Sequence, residues 1–274
     1  MKDEPCVRFL QWALPQLQMR WPGFRRVYGQ VCKRLARRVK DLGLAGLAAY
    51  HDYLETHPQE WSVLDQICQV TVTRFYRDKM MFEFLSQEVL PTLARQAIAQ
   101  GHQRLAVWSI GCGSGEEPYS INLLWQIRLQ AQFPALRLHI LATEAKAELK
   151  TRYEQACYDH GTIKNLPAEW QEKGFTRCAD QFCLKAEYRQ DVQFAQQDIR
   201  KVMPGEKFDV ILCRNLVFTY YEETLQQKIL ANLQQRLKPG GALVIGIHER
   251  LPAVVNGFAS WSDKLRIYRN MGRQ

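Results

Sequence analysis

Three glycines at alternate positions, Gly111, Gly113 and Gly115, are followed at once by two carboxylates, Glu116 and Glu117. Glycine lets a backbone turn sharply and lets a ligand lie against the main chain. A phosphate would need an electropositive helix start with room for an anion. Here paired acids hold that place, so a pyrophosphate is repelled and a cationic or hydroxyl-rich ligand is favoured. S-adenosylmethionine meets that description, with a sulfonium, an ammonium and a ribose diol and no phosphate. The plainer alternative is a turn that only joins a strand to a helix.

Other polar residues end apolar runs in the same way. Glu144 follows Leu138-His-Ile-Leu-Ala-Thr143. An ionised carboxylate has acceptor capacity for both hydroxyls of a ribose; the alternative is a solvated acid at a helix start. Asp198 follows Val192-Gln-Phe-Ala-Gln-Gln197 and could accept from an adenine amine, with Ile199 beside it as a second cofactor-binding candidate. Asp198 could equally cap the turn Ile199–Val202. Asn215 ends Val210-Ile-Leu-Cys-Arg-Asn, where a polar residue in a buried strand marks a ligand contact or a satisfied structural amide.

The elements that must position these residues alternate. Strands are expected at Leu105–Ile110, Leu136–Ala142, Val192–Ala195, Phe208–Leu212, Ala242–Ile247 and near Leu265–Tyr268. Helices are expected at Pro118–Gln130, Ala147–Gln155 and Glu223–Leu237, with Pro118 tolerated in a first turn. This alternation predicts a parallel sheet covered on both faces, with the ligand beyond the carboxyl ends of the strands. The first ninety-odd residues read instead as helices. Val27, Val31, Leu35, Val39 and Leu42 share one face, Gly43 ends that helix, and Asp78 is expected to cap a helix over Lys79–Leu90. The expected division is a helical domain over 1–95 and a ligand-binding domain over 96–274.

The motifs and their order resemble the CheR-type methyltransferases, which esterify glutamates of chemotaxis receptors with S-adenosylmethionine. Thr71-Val-Thr-Arg-Phe-Tyr-Arg-Asp78 resembles the family's N/T-x-T-x-F-F-R-D segment, and Phe208-Asp-Val-Ile-Leu-Cys-Arg-Asn215 its F-D-x-I-x-C-R-N strand. Leu237-Lys-Pro-Gly-Gly-Ala-Leu-Val-Ile-Gly246 is similar to a late strand of class I methyltransferases, and the likeness runs from about Val27 to Tyr268. It implies an α/β, Rossmann-like, mostly parallel sheet with a small all-helical N-terminal domain. It implies further that Thr71, Thr73 and Arg77 line the methyl-donor site and that Asn215 touches the nucleoside or the methionine part. Arg77 would orient a carboxylate of cofactor or substrate, unless it pairs with Asp78 or Glu83 on the surface. The resemblance also implies a small β-subdomain over the irregular stretch 165–191.

The sequence departs from the family pattern at several positions. Thr71 stands where many members have Asn, Glu144 where they have Asp, and Asp198 where they have Asn. Thr219 takes the position of a Tyr near the transferring methyl, so Tyr220 is the candidate catalytic Tyr beside Arg77. His248 stands where a small residue is usual, and could line an unusual acceptor pocket or be structural.

Bulk properties narrow the rest. The 274 residues are 46% hydrophobic, ample for a sizeable core. No run of eighteen apolar residues predicts a membrane span, and no secretory leader pattern opens the chain. The eight cysteines form no C-x-x-C pair, so structural thiols in a reducing cytoplasm are expected, with no metal site. The net charge is +9, and between Arg20 and Tyr50 eight basic residues stand against one acid. That face could receive an acidic receptor-type helix, or be a solvated face with a charge bias. No amino-methylating Asn/Asp-Pro-Pro-Tyr/Phe segment occurs, so nucleic acid is not the expected partner. The reading is a cytoplasmic protein-glutamate O-methyltransferase. The rivals are a small-molecule O-methyltransferase on the same scaffold and a non-catalytic cofactor-binding signalling module.

Overall fold

In the helical stretch the apolar residues at Val31, Leu35 and Val39 are buried on one side of a helix, as their spacing requires. The computed structural model describes residues 4–71, 73–253 and 257–272. They form two compact units, Met1–Thr71 with Leu216–Gln226, and Val72–Asn215 with Gln227–Gln274.

The first unit holds α1 (Glu4–Gln16), α2 (Trp21–Phe24), α3 (Tyr28–Asp41), α4 (Leu47–Thr56) and α5 (Glu60–Cys68). Gly43 has φ 68° and ends α3 as expected. Buried Glu60 takes both arms of the Arg38 fork, at 2.8 and 2.7 Å, and the Tyr50 hydroxyl at 2.8 Å. Arg34 donates to the carbonyls of Ile67 and Gln69 at the end of α5. The later segment 216–226 is tied in by Arg20, which donates to the carbonyls of Thr219 and Phe218, and by a bridge between Met19 and Tyr221.

The second unit begins with α6 (Lys79–Phe84), a π turn at Leu85–Val89 and α7 (Leu90–Ala99). Met81, Phe82, Leu85, Val89 and Leu93 lie in the core that the sheet builds. The expected boundary at 95/96 is therefore corrected: these helices bury their apolar face on the sheet side, and the units divide after residue 71. Asp78 does not cap α6 with its side chain.

There follow β1 (Arg104–Ile110), α8 (Glu116–Leu124) with a π turn at Trp125–Leu129, β2 (Arg137–Glu144), α9 (Leu149–Gln155), β3 (Cys157–Tyr158), α10 (His160–Ile163) and α11 (Ala168–Gly174). Then come β4 (Phe175–Cys178), β5 (Gln181–Leu184), β6 (Val192–Gln196) and β7 (Phe208–Cys213). After α12 (Val217–Tyr220) in the helical unit and α13 (Glu223–Arg236), the sheet closes with β8 (Leu237–Ile245), β9 (Phe258–Ser262) and β10 (Ile267–Asn270).

The main sheet has the order β6-β2-β1-β7-β8-β10-β9. Its first five strands are parallel, and β10 and β9 are antiparallel. The chain builds outward from β1 to β2 and β6, then returns to β7 on the other side. The switch point therefore lies between β1 and β7, where a ligand crevice is expected. All six residues of β7 are buried, as a strand covered on both faces requires. Asp209 accepts the N–H of Ala106 at 2.8 Å and pairs with Lys238, tying β7 to β1 and β8.

The segment 165–191 carries the expected β-excursion as β4 and β5, which form a three-stranded sheet in the order β3-β5-β4 with β3 from just before the segment. The cysteine reading needs correction. Cys6 is bonded to Cys32 and Cys157 to Cys183, while Cys68, Cys112 and Cys178 are free thiols. Pairing across 26 residues depends on which strands and helices meet, and local spacing does not display it.

Candidate functional site

The glycine loop leaves the end of β1, and its glycines all have positive φ: 68° at Gly111, 59° at Gly113 and 97° at Gly115. At Gly115 a Cβ would also meet the Tyr119 ring at 2.6 Å and the Tyr153 ring at 2.8 Å. The turn is held to the neighbouring strand, because Gly111 and Cys112 both donate to the Thr143 carbonyl. From the other side the Tyr158 hydroxyl donates to the Ser114 carbonyl at 2.6 Å.

The two acids after the loop have different environments. Glu116 is 1% exposed, and its Oε2 is buried with no hydrogen-bond partner. Burial pushes its carboxyl up to about 7, against the pull of its own backbone N–H, Arg152 and a hydrogen bond from Thr73. Glu117 is engaged: Oε1 accepts from Ser109 at 2.9 Å and Oε2 from Arg214 at 2.7 Å. A buried acceptor without a donor suits a ligand bearing a charged N–H group.

Glu144 ends β2 with one oxygen on the Gly113 N–H at 2.9 Å and the other on the Lys146 N–H at 3.1 Å. Burial raises its carboxyl, and those backbone donors oppose the rise. Each oxygen keeps further acceptor capacity for a diol. Asp198 accepts the Arg200 backbone N–H at 2.9 Å and holds the Arg200 guanidinium at 2.7 Å. Burial alone would raise its carboxyl, but the Arg200 contacts together hold it below the usual range. Asp198 thus carries the turn-capping role, and Ile199 beside it is buried.

Asn215 sits at the end of β7 in a left-handed conformation, φ 54°. Its N–H and that of Gly246 both donate to Glu249 Oε2, at 2.8 and 2.6 Å. Glu249 is a buried residue that the sequence reading passed over in favour of His248, yet His248 is exposed. An acid flanked by polar residues shows no hydropathy signal of burial.

The segment 73–78 packs on α8. The Tyr76 N–H donates to Ser120 at 2.9 Å, and Thr73 hydrogen-bonds Glu116. Arg77 is half-buried, and its carbonyl accepts from Arg214 at 3.3 Å. Thr73, Arg77, the glycine loop, Glu116, Glu144, Asp198, Ile199 and Asn215 all belong to the sheet unit, where Glu144 touches the loop at Gly113 and Thr73 touches Glu116. Thr71 and Tyr220 belong to the helical unit, where the half-buried Tyr220 ring lies edge-on to Phe24 at 5.0 Å.

These features fit S-adenosylmethionine. Glu116 would meet its ammonium, Glu144 its ribose, and the glycine turn would let the backbone approach. Bound, it supplies a methyl group on a positively charged sulfur.

Known proteins place the chain in a family. The chain is 32% identical over 228 residues to a chemotaxis protein methyltransferase of Escherichia coli, covering 80% of this chain and 75% of that protein. It is 28% identical over 262 residues to chemotaxis protein methyltransferase 2 of Vibrio cholerae, covering 93% and 88%. It is also 27% identical over 243 residues to a 104.1 kDa protein of Rhodobacter capsulatus, covering 88% of this chain but only 25% of that protein. Residues 71–266 match the family described as "CheR methyltransferase, SAM binding domain". The chain belongs to the CheR methyltransferase family, and its cofactor is S-adenosylmethionine.

Proposed function

We propose that this protein methylates glutamate side chains of a chemoreceptor-type protein from the cytoplasm, giving a carboxyl methyl ester. The observation that carries this reading is the pair of buried acids Glu116 and Glu144, 1% and 7% exposed, at the ends of the glycine loop and of β2, together with relatives described as chemotaxis protein methyltransferases. A glutamate has a pKa near ~4.3 and is ionised at pH 7, so it needs no general base. The chain must hold that anion, align it and exclude water. Arg77 is suited to hold a carboxylate through its planar fork. The exposed residues Lys33, Arg37 and Lys40 on α3 offer an acidic helix a complementary face. His248, being exposed, lends no support to an enclosed small-molecule pocket.

The test is transfer of labelled methyl groups from S-adenosylmethionine to proteins of a bacterial lysate, followed by mild base. An ester releases methanol, whereas a methyl ether or methylamine does not. Arg77→Lys keeps the charge but loses the fork, and is expected to impair turnover by about tenfold or more. A base-stable product, or full activity in Arg77→Ala, would overturn the carboxylate reading and leave the fold intact.

A further inference from the structure

Arg214 lies among three non-glycine residues with left-handed backbone: Tyr76 at φ 55°, Asp78 at 65° and Asn215 at 54°. Such conformations persist only where the surroundings over-determine them. Asn215 is held through its N–H by Glu249, and Tyr76 through its N–H by Ser120. For Asp78 the corresponding restraint is Arg214. Its side chain is 3% exposed. Nη2 donates to the Asp78 carboxylate at 2.5 Å and to the Arg77 carbonyl at 3.3 Å, and Nη1 to Glu117 at 2.7 Å. One guanidinium therefore joins the end of β7, the first turn of α8, the Arg77 carbonyl and the Asp78 carboxylate.

We propose that Arg214 is a positioning residue: it fixes the strained backbone at Asp78, and the Arg77 carbonyl before it, against α8, so that the Arg77 side chain is presented to the cofactor site. The proposal rests on the reading of Arg77 as a site residue. A buried ion pair is weak evidence for stability, because desolvation offsets the attraction. A fork meeting two carboxylates and a carbonyl gives geometric definition instead. Lysine in its place keeps the charge but cannot span both carboxylates in one plane.

The test uses Arg214→Lys, Asp78→Asn, Arg77→Ala and the double variant Arg214→Lys/Arg77→Ala. S-adenosylhomocysteine is the probe. In Arg214→Lys, amide hydrogen exchange over 73–79 should quicken by about tenfold, with the central strands unchanged. The affinity for S-adenosylhomocysteine should fall roughly three- to tenfold, and the double variant should bind no more weakly than Arg77→Ala alone. Asp78→Asn should reproduce the exchange change, which keeps the test open if the lysine variant folds poorly. Unchanged exchange over 73–79 in both variants overturns the proposal, as do fully additive losses of affinity. Faster exchange combined with unaltered binding in Arg77→Ala supports the clamp and faults the reading of Arg77 alone.

Discussion

Glu116 is where burial and ligand charge oppose each other most directly. Its carboxyl is raised from 4.5 to about 7 by burial. A carboxyl raised in the folded state contributes stability below its unfolded value, and that contribution is lost as pH rises through about 7. A cationic ligand favours the ionised form, so binding should release a proton near neutrality. Calorimetry of S-adenosylhomocysteine should show affinity about tenfold weaker at pH 6 than at pH 8. Proton release should appear as a dependence on the buffer's ionisation heat, and Glu116→Gln should abolish both effects. A pH-independent affinity would remove Glu116 from the ammonium contact. The acids of the loop were legible in the sequence because adjacency and the preceding strand are local signals. Which acid stays open and which is consumed was not legible, since Glu117 and its partner Arg214 are 97 residues apart.

At the scale of elements, α3 separates charge that holds the fold from charge that faces water. Arg34 and Arg38 have internal partners, whereas Lys33, Arg37 and Lys40 are exposed. A helical wheel places all five on the polar side and cannot divide them, because the division depends on where α5 packs. Reversing Arg37 and Lys40 to Glu should slow methylation of a receptor-type protein several-fold and flatten its salt dependence, with cofactor affinity unchanged. Removing Glu60 should instead cost about 1–3 kcal/mol of folding stability, because it leaves the buried Tyr50 hydroxyl and the Arg38 fork without their acceptor. The Arg38 hydrogen bonds, aided by Tyr50, hold the Glu60 carboxyl below its usual range. That contribution is present above the unfolded value and is lost as pH falls through the lowered one. Thermal melts of Glu60→Ala and of the Arg37/Lys40 reversal would tell the two roles apart, since only the first should shift Tm by several degrees. The strand and helix positions were readable from periodicity to within a few residues, including β7 and the loop that follows β1. β9 was missed: its residues are only partly buried, with no apolar run to announce it. The π turns after α6 and α8 were missed as well, since helical periodicity does not register one extra residue in a turn.

At the scale of the whole molecule, the helical unit draws on two distant stretches, 4–71 and 216–226. Arg20, Met19 and Phe24 all find partners in the later one. During synthesis the early helices emerge first but cannot complete their packing until residue 226 has left the ribosome. At ~5–20 residues per second the wait is roughly 8–30 s, during which the faces meant for 216–226 stand open to chaperones and to other chains. A ribosome-stalled product ending near residue 200 should therefore be cut by protease within 4–71 faster than the finished protein, and one long enough to hold residue 226 outside the ribosome should gain protection there. A circular permutant that begins near residue 216 would remove the delay, and should fold from the ribosome with less aggregation than the natural order.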